Sequence, residues 1–83
     1  MTDTQMISDA LLAFLDRRTG TTWTEDADLF DSGVVSSLFA LELVLHMEKS
    51  FGVSVGGADL AVENFRTVNA MTALVLRLRD PDE

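Results

Sequence analysis

The chain has 83 residues, of which 47 % are hydrophobic and 24 % charged; its formal net charge is −8, and it has no cysteine. That describes one small domain with a modest core, too short for a second domain or for an enzyme built on a large cleft. Six basic residues against fourteen acidic ones argue against nucleic acid, which needs clustered Lys and Arg, and the missing cysteine removes disulfides, thiolate metal sites and a cysteine nucleophile.

The start, Met1-Thr2-Asp3-Thr4-Gln5, has no basic region of the kind a signal peptide carries, and the uncharged apolar runs are far too short to span a bilayer. A cytoplasmic protein without membrane contact is the expectation. A first helix is predicted from about Thr4 to Arg18. Met6, Ile7, Ala10, Leu11, Phe14 and Leu15 recur at helical spacing on one apolar face. Arg17 and Arg18 suit its C-terminal end, and Gly20 is a stop signal.

A long loop follows, from Thr19 to Val35. Thr21-Thr22-Trp23-Thr24 reads as a strand only if it has a partner, and none is evident; Trp23 is expected to pack within the loop. Glu25, Asp26, Asp28 and Asp31 surround Leu29 and Phe30, which should pin the loop to the core. The EF-hand ligand spacing and its closing glutamate are absent, so no metal ligand set is expected.

Asp31-Ser32-Gly33-Val34-Val35-Ser36-Ser37-Leu38 is a glycine-bearing turn that runs into a pair of serines and then an apolar helix. Serine is a preferred N-cap, and a helix N-terminus also stabilises a phosphate. A serine here is therefore either a plain cap or a hydroxyl that bears a phosphodiester. The second helix should run from about Ser37 to Ser50. At about 100° per residue it carries two apolar stripes. Ala40, Leu43, Val44, Met47 and Phe51 form one, directed to the core. Leu38, Leu41 and Leu45 form the other, flanked by Glu42, Glu48 and Lys49. Either the helix is buried on both sides, or the second stripe is an exposed docking surface. His46, the single histidine, has no serine or carboxylate arranged around it and reads as a solvated helix residue.

Phe51-Gly52 ends this helix, and Val53-Ser54-Val55-Gly56-Gly57 is an extended, flexible link. A short third helix or turn is placed over about Leu60 to Asn64, with Phe65 plugging the core. Thr67 looks like the N-cap of a last helix that buries Val68, Met71, Leu74, Val75 and Leu78. Asp80-Pro81 should end it, and Asp82-Glu83 should fray. Three main helices, a short fourth, a long first loop and no credible sheet give an all-α, four-helix bundle.

Ser37-Leu38, Glu42-Leu43, Glu48 and Phe51-Gly52-Val53, with Leu29-Phe30-Asp31 before them and Asn64-Phe65-Arg66-Thr67-Val68 after, resemble the acyl carrier protein family. The resemblance runs from about Ile7 to Leu76. In that family an Asp-Ser-Leu motif opens the second helix, and its serine carries 4′-phosphopantetheine. By register that serine is Ser37. Ser36 stands where the family usually has Asp; it ranks below Ser37, and Ser32 below both.

Family members offer acidic residues of the second helix to basic patches on partner enzymes. Here Ser36, Phe39 and Lys49 stand at positions where acids are often found. The resemblance thus implies a less acidic, more apolar partner face made of Leu38, Phe39, Leu41, Glu42, Leu45 and Glu48. It implies one acyl carrier domain over residues 1–83, a monomer and not an enzyme. Its partners would be a phosphopantetheinyl transferase and acyl-loading and acyl-using enzymes of acyltransferase, ketosynthase or dehydrogenase type. Ser36-Ser37 followed by Phe39-Ala40-Leu41-Glu42-Leu43-Val44-Leu45 is similar to stand-alone carriers of polyketide pathways, some of which bear malonyl-type units such as methoxymalonyl. The competing class is a non-acylated acidic interaction module in which Ser37 is only a cap.

Overall fold

The computed structural model describes residues 3–33 and 36–79. Four α-helices follow in order: α1 (Asp3–Thr19), α2 (Ser37–Phe51), α3 (Val62–Phe65) and α4 (Val68–Arg79). A 3-10 turn, Gly57–Asp59, precedes α3, and no strand occurs among the described residues. The all-α bundle is the architecture expected. Thr21 to Thr24 is irregular chain, while Val35 and the residues from Asp80 onward lie outside the described part.

The core is built from the helical stripes. Ile7, Leu11, Phe14 and Leu15 of α1 meet Val68, Met71, Leu74 and Val75 of α4, with Leu43 and Met47 of α2 and Phe65 of α3. Met6 departs from expectation: it is 54 % exposed. It sits one helical step off Ile7, on the flank of the stripe that α4 covers. Leu78, near the end of α4, is only partly buried.

Both long N-terminal helices end on glycine. Gly20 has φ 72° and donates its N–H to the Asp16 carbonyl at 2.8 Å. Gly52 has φ 67° and caps Glu48 at 3.0 Å. Such left-handed conformations suit a residue without Cβ. At its own start α4 is capped by Thr67, whose Oγ1 accepts from Ala70 N–H at 3.0 Å.

The third element is split rather than continuous over Leu60–Asn64. Ala61 is extended, with φ −117° and ψ 144°, so the 3-10 turn closes at Leu60 and α3 starts afresh at Val62. The Asn64 side chain donates to the Asp59 carbonyl at 2.8 Å and ties the two pieces together. The link before it is accordingly shorter than expected, since Gly57 already belongs to the 3-10 turn.

The long first loop is stitched to the α3–α4 junction. Leu29 is fully buried, and its N–H donates to the Arg66 carbonyl at 2.8 Å. Asn69 N–H donates to the Glu25 carbonyl at 3.0 Å, and Arg66 pairs with Asp28 at 2.9 Å. Asp28 also accepts from Asp31 N–H; that bond and the Arg66 guanidinium hold its carboxyl below the usual carboxylate range. Trp23 packs as expected, with its indole N–H on Thr19 Oγ1 at 2.9 Å.

Candidate functional site

The N-terminus of α2 separates the three candidate serines. Ser36 is the N-cap: it is extended, with φ −98° and ψ 174°, and its Oγ accepts from Phe39 N–H at 3.3 Å. Its carbonyl takes the first helical bond, from Ala40 N–H at 2.9 Å. Ser32 Oγ donates to the Leu29 carbonyl at 2.6 Å, inside the loop. Ser37 is the first residue of α2. No acidic residue stands in the first turn, so nothing there opposes the positive end of the helix dipole. A phosphate suits such a position: the first N–H groups of a helix have no partner within the helix, and the dipole favours an anion.

The second stripe of α2 is exposed. Leu38 is 70 %, Leu41 56 % and Leu45 65 % accessible, and Leu60 and Val62 continue the apolar surface beside α3. Between them lies a hollow of about 180 Å³ walled by Ala40, Leu41, Val44, Leu60, Val62 and Phe65 among others. Burial on both sides is therefore not the arrangement. α2 buries Leu43 and Met47 and leaves three leucines to solvent.

The other residues assigned to the partner face are engaged within the chain. Glu42 pairs with Arg18 of α1. Glu48 Oε2 accepts from Val55 N–H at 2.9 Å and ties the link after α2 back to that helix. Phe39 is half-buried. Its ring centroid lies 6.2 Å from that of Phe14, and the Arg18 guanidinium sits 5.7 Å from it. Arg18 lies at a similar distance, 5.6 Å, over Phe14. Around Ser37 the exposed face of α2 is thus leucine, with its two carboxylates occupied.

His46 is half-buried rather than fully solvated: Nδ1 lies 3.4 Å from Ser50 Oγ at the surface, and the other side of the ring is covered. Its ring stacks on Phe14 with centroids 4.0 Å apart and 15° between planes, and Phe51 meets it edge-on. Nε2 is buried without a hydrogen-bond partner, and burial, helped by the Arg17 charge, lowers its pKa. The register held the signal: His46 follows Leu43 by three and Phe39 by seven, so it lies on the flank facing α1. Among the described residues no three His, Cys, Asp or Glu side chains gather as a metal site, and no helix is long and apolar enough to cross a membrane.

A family model described as the phosphopantetheine attachment site matches residues 7–75. The chain belongs to this family of carrier proteins. The family bears a covalent 4′-phosphopantetheine, and the fit at the α2 N-terminus agrees with it. The carrier is also similar to curated D-alanyl carrier proteins. That of Streptococcus uberis is 36 % identical over 56 residues, 68 % of this chain and 71 % of its own length. That of Streptococcus suis is 34 % identical over 53 residues, 64 % and 67 % respectively. The match to Streptococcus sanguinis is 33 % over 55 residues, 66 % and 70 %. Carriers of this family deal with a phosphopantetheinyl transferase and with acyl-handling enzymes.

Proposed function

We propose that Ser37 is the attachment residue and that the carrier presents an acyl group to partner enzymes across the leucine face of α2. The observation that carries this reading is the division of labour at the helix start. Ser36 Oγ is committed to Phe39 N–H and Ser32 Oγ to the Leu29 carbonyl, while Ser37 opens the helix beside exposed Leu38. In the loading step Ser37 Oγ gives up its proton to a base of the transferase and bonds to the phosphorus next to the pantetheine arm, while the pyrophosphate bond of coenzyme A breaks and adenosine 3′,5′-bisphosphate leaves with its electron pair. The arm supplies a terminal thiol for thioester chemistry, which no side chain of a cysteine-free chain can offer. The family match speaks against the non-acylated module.

The pathway we assign is natural-product assembly of the polyketide type, with a malonyl-type unit as cargo. Its support is the Ser36-Ser37 pair and the run Phe39–Leu45, which resemble stand-alone polyketide carriers. A second reading, an aminoacyl carrier, draws on the D-alanyl carrier relatives. Intact mass after incubation with coenzyme A and a broad-specificity transferase tests the attachment, with Ser37→Ala and Ser36→Ala beside wild type. One added arm is expected in wild type and Ser36→Ala, and none in Ser37→Ala. Offering the loaded carrier a malonyl-type acyltransferase or a D-alanine-activating ligase then decides the cargo.

A further inference from the structure

The leucine face of α2 has an edge turned towards α1, and the charges on that edge differ from those of the chain as a whole. Glu42 lies four residues past Leu38 and three before Leu45, so it borders the stripe. Arg18 reaches it from α1. The Glu42 oxygen that faces Arg18, Oε1, is covered, although 39 % of the side chain stays exposed. A second interaction fixes Arg18 in place. Its guanidinium lies over the Phe14 and Phe39 rings, 5.6 and 5.7 Å from their centroids, and a cation over an aromatic face is attracted to it. The Arg18 side chain is itself 47 % exposed, so a partner on the leucine face meets it.

Two more cations line the same edge. Lys49 is exposed, four residues past Leu45 and seven past Glu42. Arg17 is exposed, three past Phe14, and its charge reaches the His46 ring on α2. Among the described residues neither is ion-paired. Glu48, on the far side of the stripe, is engaged with Val55 N–H. Arg17, Arg18 and Lys49 thus outnumber the one carboxylate at this edge, in a chain whose net charge is −8. A docking patch rich in Lys and Arg would be drawn to the chain as a whole and then meet like charges at contact distance. Like charges across an interface suppress the wrong partner. We infer that Arg18 is a specificity-determining residue: it closes Glu42 to cations and makes the leucine face select partner enzymes whose docking patch is apolar and free of clustered Lys and Arg. This rests on the docking role of the leucine face. It adds the partner's chemistry and places the determinant on α1, outside the helix that docks.

The test is arm transfer to the full chain by two phosphopantetheinyl transferases, one with a carrier-docking patch rich in Arg and Lys and one with an apolar patch. The quantity read is the ratio of their kcat/KM values. Arg18→Gln removes one cation and bares Glu42. It breaks only an exposed pair, so the thermal melt should stay close to wild type. The ratio should shift towards the basic-patch enzyme by about tenfold, through KM rather than kcat, as expected when two exposed charge contacts change in the same direction. Arg18→Lys keeps the cation and should stay within about threefold of the wild-type ratio. Arg18→Gln combined with Glu42→Gln has no carboxylate to bare and should give back most of the shift. Leu45→Asp should slow both enzymes. If Leu45→Asp slows both while Arg18→Gln leaves the ratio unchanged, the inference is overturned and the docking face stands. An equal shift in Arg18→Lys, or in the double variant, overturns it too. Transfer by both enzymes unaffected by Leu45→Asp would overturn the docking face and the inference with it.

Discussion

Replacing Leu45 by Asp separates docking from folding. Leu45 is 65 % exposed, so only about a third of its side chain contributes to the folded core. Full burial of a leucine is worth about 1.5–3 kcal/mol, and a third of that is about 0.5–1 kcal/mol. The poorer helix propensity of Asp adds about 0.5 kcal/mol. Folding should thus lose about 1–1.5 kcal/mol, a fall of roughly 5–10 °C in melting temperature for a domain of this size. Docking stands to lose more. Covering the exposed two thirds of the leucine is worth about 1–2 kcal/mol, and an unpaired carboxylate in an apolar contact costs about 1–2 kcal/mol further. Together these correspond to a loss of roughly 30- to 1000-fold in kcat/KM. The assay is arm transfer by the transferase, then acyl transfer by a partner, beside a thermal melt. Leu43→Ala is the contrast: Leu43 is fully buried, and its loss should cost about 2–5 kcal/mol of stability. Transfer to Leu45→Asp within threefold of wild type, at a melting temperature close to wild type, would refute the docking role. A fall of more than about 15 °C would show that Leu45 belongs to the core.

Ser37→Ala should load no arm and keep its helical circular dichroism, whereas Ser36→Ala should load and lose about 1 kcal/mol in urea unfolding, because Ser36 is the cap. Loading of Ser37→Ala, mapped to another serine, would move the attachment point. His46 gives a pH dependence. Its pKa is lowered from the ordinary 6.5, so the unfolded chain takes up a proton before the folded one. Stability is therefore complete above pH 6.5 and falls as pH drops through 6.5 towards the lowered value. Urea unfolding at successive pH values should show this slope, and His46→Phe should flatten it; an unchanged slope would mean that another group titrates. The lowered Asp28 pKa adds a separate loss only as pH falls below about 3.8. Arg18→Ala frees the Glu42 carboxylate on α2, so partner association should become more sensitive to salt, read as the slope of kon against ionic strength.

The main helices could be read from the sequence because each carries a continuous apolar stripe between a cap and a stop. Ile7 to Leu15 with Gly20, Leu43 and Met47 with Gly52, and Thr67 with Val68 to Val75 are of this kind. The exposure of Leu38, Leu41 and Leu45 was legible only as one of two options, because periodicity shows that a second stripe exists but not whether anything covers it. Phe39 and Glu42 illustrate what a pattern on one helix leaves out. Their partners, Phe14 and Arg18, lie on α1, and only the packing of α1 against α2 brings them together. Ser8 and Thr72 are polar yet buried, and Ser8 lies three before Leu11 and seven before Leu15, and Thr72 three before Val75. Polarity said outside, while register said inside. The split at Leu60–Ala61 left no sequence signal, since neither residue breaks a helix by its own propensity.

The stitching of the first loop sets where this chain can be lengthened. Glu25, Asp28 and Leu29 are joined to Asn69 and Arg66, so the middle of that loop is anchored like an element of the fold although it has no regular structure. Extra residues inserted between Glu25 and Leu29 would displace the buried Leu29 side chain along with the backbone bonds. Residues added at Thr21-Thr22, both exposed and just past the end of α1, would disturb only the local bonds that Thr19 Oγ1 accepts from Thr21 N–H and the Trp23 indole, and no bond to α4. A graft or a fusion partner placed there would leave α2 and its serine in register with the helices that support them.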